Sequence, residues 1–154
     1  MVIHELTAAD CEALLARTNL GRLACSRDNQ PYIIPVSYSF DPYTHSLYCF
    51  STLGQKIQWM RLNPRVCVEV DEIIDRFHWT TVLVMGRYEE LGDSPPNNSA
   101  RQRAQRLFEE RDTWWLPGAG KLAGSTEHGQ PVIYRIHIDK VSGRRAARTA
   151  TMTD

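Results

Sequence analysis

The run Ser51-Thr52-Leu53-Gly54-Gln55-Lys56 has residue types and spacing that could do chemistry. It joins the end of a β-like segment to a short helical segment that stops at Asn63-Pro64. A helix N-terminus offers unpaired backbone N–H groups and a partial positive charge, which together attract an anion. Glycine lets a backbone approach a ligand closely. Ser51 and Thr52 add hydroxyls, Gln55 an amide and Lys56 a full charge, so the turn has the parts of a phosphate cradle. Its glycine count and spacing are not those of a Walker A loop. The same letters also serve an ordinary strand-to-helix turn carrying a solvated lysine.

The other reactive residue types are dispersed. His4, His45, His78, His128 and His137 have no metal-ligand spacing, and no metal site is expected. Cys11, Cys25, Cys49 and Cys67 form no C-x-x-C pair and sit among apolar neighbours, as reduced core cysteines do. Glu69, Asp71, Glu72 and Asp75 read as the wet face of a strand and its loop, and Arg144, Arg145 and Arg148 as a solvated tail. Trp114 and Trp115 could cover a ligand or plug a core. No catalytic acid or base stands out; the hydroxyls of Ser37 and Tyr38 are the nearest candidates.

The chain has 154 residues, 42% hydrophobic and 23% charged, the composition of a single globular domain. Lys plus Arg and Asp plus Glu both number 18, so net charge gives no reason to expect nucleic acid or an anionic membrane as partner. The N-terminus lacks the apolar run of a signal peptide and no segment has transmembrane length. A cytoplasmic location is expected.

These residues must be positioned by mostly extended elements. Thr7 caps a first helix with Asp10 three residues on, and Cys11, Leu14, Leu15 and Thr18 form its inward stripe. Strands are expected over Arg22 to Arg27, Tyr32 to Phe40, Ser46 to Ser51, Val66 to Asp71, Trp79 to Leu91 and Val132 to Asp139. Pro35 cannot donate to a ladder, so its strand has an edge, a bulge or a gap there. Gly86 marks a bulge or a close backbone approach. Gln55 to Leu62 forms a short helix, and Ala100, Ala104, Leu107 and Phe108 make one face of a third helix capped by Asn97 or Asn98. The sum is a mainly β fold: a six-stranded antiparallel barrel with peripheral α-helices, one domain over residues 1–143, and a flexible tail over 144–154.

An ordered set of motifs adds to this. Leu20-Gly-Arg-Leu-Ala24, Pro35-Val-Ser-Tyr38, Ser51 to Lys56, Asn63-Pro-Arg-Val-Cys67 and the Trp79-led strand ending Gly86-Arg-Tyr-Glu-Glu90 follow one another. Together they resemble the pyridoxamine 5′-phosphate oxidase-like flavoproteins, in the branch that includes nitroimidazole-resistance proteins. The resemblance spans about Leu20 to Leu91, with the late YRIHIDKVSGRRA similar to that branch's last strand. It implies a split β-barrel that forms a homodimer and binds FMN in clefts at the interface. Lys56 and Gln55 would hold the FMN phosphate with Ser51 and Thr52 beside them. Pro35, Val36, Ser37 and Tyr38 would run along the isoalloxazine, partly through backbone groups, and Thr80 and Thr81 would face its pyrimidine end. The implied activity moves electrons from a reduced donor such as a reduced nicotinamide to a small-molecule acceptor. A deazaflavin or haem on the same fold, or a flavin-sensing module without turnover, are the alternatives. The two basic residues that serve pyridoxamine phosphate oxidation in the family fall here near Ile33 and Tyr38, so that particular activity is not implied.

Overall fold

The computed structural model describes residues 1–110 and 131–148. In chain order the elements are β1 (Val2–Glu5), α1 (Ala8–Arg17), β2 (Leu20–Arg27), β3 (Gln30–Ser37), β4 (Ser39–Asp41), β5 (Ser46–Thr52), α2 (Gln55–Leu62), β6 (Arg65–Asp75), β7 (His78–Glu90), α3 (Asn98–Glu109) and β8 (Pro131–Ala147). All pairings are antiparallel, in the order β3-β2-β6-β7-β8-β5-β4, with β1 on the far part of β8.

The sheet curls because its two outermost strands are consecutive in the chain. β3 ends at Ser37 and β4 begins at Ser39, yet β3 pairs with β2 and β4 with β5. Tyr38 is the crossing point: its N–H makes the last bond toward β2, to Asn19 O at 2.9 Å, before Ser39 turns to β5. The result is the barrel with a split that the sequence predicts. Pro35 lies on the edge strand β3, where its missing N–H costs no ladder bond.

The barrel interior holds Leu23, Val36, Leu47, Val68, Val82, Val84 and Ile136, all at or below 5% exposure. Each such side chain contributes about 1.5–3 kcal/mol on burial. α1 closes one end, with Cys11, Leu14 and Leu15 buried and the Thr7 hydroxyl accepting from Asp10 N at 3.1 Å. α3 packs its Ala104 against Tyr48 and Leu91, and is pinned by Arg103 to the fully buried Asp41 at 2.8 Å.

Two sequence expectations change and a third is met. There are eight strands among the described residues, not six, because β1 exists and because the expected Tyr32 to Phe40 strand is two strands divided at Tyr38. Residues 144–147 belong to β8 rather than to a tail: Glu5 pairs with Arg144 and Val2 with Ala147, and Ala146 is buried. Gly86 satisfies both readings made of it: the β7–β8 register shifts between Met85 and Gly86, and a Cβ there would lie 2.3 Å from His137 O. The pair Trp114-Trp115 and the final six residues lie outside the described residues.

Candidate functional site: an uncapped helix at the mouth of the split

The split places two segments side by side. Ser39 pairs with Tyr48. Carried on in that register, Ser37 would face Phe50 and Pro35 would face Thr52, but β3 has turned away to pair with β2. A gap therefore opens between Pro35–Ser37 and Phe50–Thr52, and the chain leaving β5 runs straight into α2 at its end.

α2 ties the two sides of that gap together. Trp59 packs on Tyr32 of β3, ring centroids 5.6 Å apart. Asn63 Nδ2 donates to Ser26 O of β2 at 3.1 Å. Ile57 and Met60 are its buried face. The short helix exists because Gly54 and Pro64 bracket it and because these contacts supply what eight residues of propensity alone do not.

Its N-terminus is bare. Gly54 is the N-cap and no side chain caps the first turn. With φ at −169° the Gly54 backbone is extended and open to any residue, and an added Cβ would meet nothing closer than Thr52 O at 4.0 Å. The glycine is thus not demanded by the chain itself; it keeps clear the space above the first-turn N–H groups.

Lys56 is half-buried beside this space. Among the described residues it makes no ion pair, and the groups that feel its charge are the thiols of Cys25 on β2 and Cys49 on β5. Those thiols are no counter-ions. Burial raises the Cys25 thiol, slightly opposed by Lys56, and pushes Cys49 up to about 12, opposed by a hydrogen bond with Tyr134 and by Lys56. Both stay protonated at neutral pH. Lys56 is accordingly lowered from its ordinary value by burial, with only weak opposition from the two thiols. A desolvated ammonium without an anion, next to an uncapped helix N-terminus, fits a phosphate.

The remaining sequence candidates divide. Thr52 and Ser37 are partly exposed at the gap and their hydroxyls make no hydrogen bond among the described residues; Gln55 is exposed there too. Ser51 is buried and its hydroxyl donates to Thr52 O at 3.0 Å. Val36 points into the core. The Tyr38 hydroxyl is bonded to Thr18 Oγ1 at 2.6 Å and donates to Leu15 O at 3.1 Å, so it secures α1, and only its backbone faces the gap.

Thr80 and Thr81 are elsewhere. On β8 they pair with Arg145 and Arg144, whereas Ser51 pairs with Val132. The twelve residues between Val132 and Arg144 make about 40 Å of strand. Alternation sends Thr80 inward, buried, and Thr81 outward, donating to Glu69 Oε1 at 3.1 Å. Among the described residues neither threonine interacts with Lys56.

Sequence reasoning missed Cys25 and Cys49 as the neutral surroundings of Lys56. Their inward positions on alternating strands are the signal that could have found them. Arg135 and His137 are structural, both on Glu89, with Arg135 Nε at 2.9 Å.

Comparison with known proteins adds the ancestry of this arrangement. Residues 7–145 match the family model described as pyridoxamine 5′-phosphate oxidase. An uncharacterized protein of Rhizobium meliloti is 36% identical over 151 residues, 95% of this chain and 97% of that one. A FAD-binding protein from Mesorhizobium loti, solved by crystallography, superposes with a TM-score of 0.79 at 41% identity, covering 96% of this chain and all of its own. A Bacteroides thetaiotaomicron protein with a candidate role in 5-nitroimidazole antibiotic resistance shares the fold at TM-score 0.66 and 13% identity, covering 94% of this chain and 89% of that one.

Proposed function

The chain belongs to the pyridoxamine 5′-phosphate oxidase family, and from that premise we propose that it is a flavin-binding oxidoreductase acting as a homodimer in the cytoplasm. The observation that carries the reading is Lys56: half-buried, without a carboxylate among the described residues, beside an uncapped helix N-terminus and a glycine that leaves room above it. This supports a flavin phosphate held by Lys56, Gln55 and the first-turn N–H groups of α2, with the Thr52 hydroxyl beside it. The Pro35–Ser37 backbone, an edge with free polar groups, lines the isoalloxazine. When bound, the flavin supplies the capacity to accept and release electrons, and the protein's part is to fix its pose and exclude water.

Thr80 and Thr81, whose rows lie about 40 Å along β8 from that of Ser51, would face the pyrimidine end of the flavin from a second copy. The outward rows Ile33-Ala24-Cys67-Met85 and Pro35-Arg22-Glu69-Leu83 run across four strands. They include Ile33 at 65% and Met85 at 48% exposure. That face suits a second subunit. No helix among the described residues is long and apolar enough to cross a membrane.

FMN is the form that the turn was read for. FAD is a second reading, favoured by the FAD-binding protein that is 41% identical over nearly the whole chain. Both carry the riboflavin 5′-phosphate half that Lys56 would grip. The test is to purify the protein, release its chromophore and identify it by chromatography and mass. FMN or FAD supports the reading and chooses between the two forms. A colourless protein that takes up neither overturns it. Turnover with reduced nicotinamides and a panel of small acceptors then separates an oxidoreductase from a flavin sensor.

A further inference from the structure

We propose that the tip of the β6–β7 hairpin, together with Arg148, is a second anion site that takes the phosphate or pyrophosphate group of a soluble ligand such as a nucleotide. Arg76 and Phe77 form the two-residue tip, since Asp75 pairs with His78. The tip is preset. Asp75 Oδ1 accepts from Phe77 N at 2.6 Å and His78 N at 2.9 Å, and its Oδ2 meets His78 Nδ1 at 2.8 Å. The β7–β8 register pairs Trp79 with Ala146, which carries Arg148, two residues on, to Phe77.

The guanidinium carbons of Arg76 and Arg148 lie 4.5 and 4.8 Å from the centre of the Phe77 ring. They are therefore within about one Debye length of each other, where like charges still repel at physiological salt. Neither makes an ion pair among the described residues, and the nearby acids are engaged elsewhere. Asp75 spends its oxygens on the turn and His78. Glu72 pairs with Arg17 at 3.1 Å. Both guanidinium groups lie over Phe77 and make no hydrogen bond among the described residues, so their N–H groups are available to phosphate oxygens. An anion bound by both also offsets their mutual repulsion.

This site stands apart from Lys56 and does not depend on the flavin reading. The experiment is calorimetric titration of pyrophosphate and of ADP, at low ionic strength, into the wild type, Lys56→Ala and the double variant Arg76→Ala/Arg148→Ala. Binding should persist in Lys56→Ala and weaken by about 10- to 100-fold in the double variant, the loss of one or more charge-assisted hydrogen bonds. Arg76→Ala alone, at an exposed tip, should show part of the loss with an unchanged melting temperature. The proposal is overturned if the wild type binds neither probe, or if binding vanishes with Lys56→Ala and survives in the double variant. It is equally overturned if the protein sediments with anionic phospholipid vesicles through these arginines but ignores the soluble probes.

Discussion

Replacing Lys56 by methionine should move two measurements in opposite directions. The side chain keeps its apolar stem and loses its charge. In the cofactor-free protein the ammonium is desolvated and unanswered, since burial lowers it and its neighbours are neutral thiols. Removing a poorly compensated polar group from a half-buried position gains about 1 kcal/mol, which for a domain of this size raises the melting temperature by about 2–4 °C. In the flavin complex the same ammonium donates a charge-assisted hydrogen bond to phosphate, worth about 1.5–3 kcal/mol. Its loss weakens FMN by about 10- to 150-fold. Riboflavin, which lacks the phosphate, should bind wild type and variant alike. The assay is quenching of flavin fluorescence on titration into cofactor-free protein, with FMN and riboflavin in parallel and thermal melts of both proteins. An FMN affinity within twofold of wild type, or an equal loss for riboflavin, refutes the phosphate anchor. The pH dependence follows from the same lysine. Its pKa is lowered, so FMN affinity should begin to fall at a pH below the ordinary lysine value of 10.5 as the ammonium deprotonates.

Other outcomes are expected away from the anchor. Tyr38→Phe loses the bonds to Thr18 and Leu15, and should cost about 1 kcal/mol in urea unfolding while leaving flavin affinity and turnover intact; turnover lost from a folded protein would make the hydroxyl catalytic instead. Gly86→Ala drives a Cβ to within 2.3 Å of His137 O, backbone that cannot swing aside, and should destabilise by about 1–3 kcal/mol or more by the same measurement. Asp41→Ala frees α3 from the barrel and should lower the melting temperature by roughly 5 °C at neutral pH. Burial raises the Asp41 carboxyl, but hydrogen bonds from Arg103, Thr44 and Tyr43 N–H outweigh it and hold it below the ordinary 3.8. Its contribution is therefore present above that value and lost as pH falls through the lowered one, so the gap between wild type and variant should close in strong acid.

Local chemistry was legible in the sequence wherever a residue acts through its own backbone. Gly54 and Pro64 bracket α2, and the helix runs from Gln55 to Leu62 as their positions predict. Thr7 and Asp10 announce α1 through a bond between neighbours. Pro35 announces an edge. Pairing partners far apart in sequence were not legible. All four residues of β1 are exposed and show no alternation, so the strand is defined only by its match to residues 144–147, which themselves look like a tail until β1 is known. The break at Tyr38 is equally hidden, because Tyr32 to Phe40 is continuous in composition and divides only when its two halves choose different neighbours. The candidate site splits the same way. Ser51 to Lys56 was readable as one local turn, while the distance of Thr80 and Thr81 from it is a matter of register along β8.

The pairing of Val2 with Ala147 also sets an order of events during synthesis. β1 is made well before the part of β8 that pairs with it, so β1 waits, edge bare, while the barrel strands between them are made. A contact of such sequence separation forms late, after the barrel that presents its partner has assembled. The residues of β1 suit that wait: His4 and Glu5 end the apolar pair Val2-Ile3 after two residues, which keeps the unpaired segment from being taken up by another nascent chain's edge.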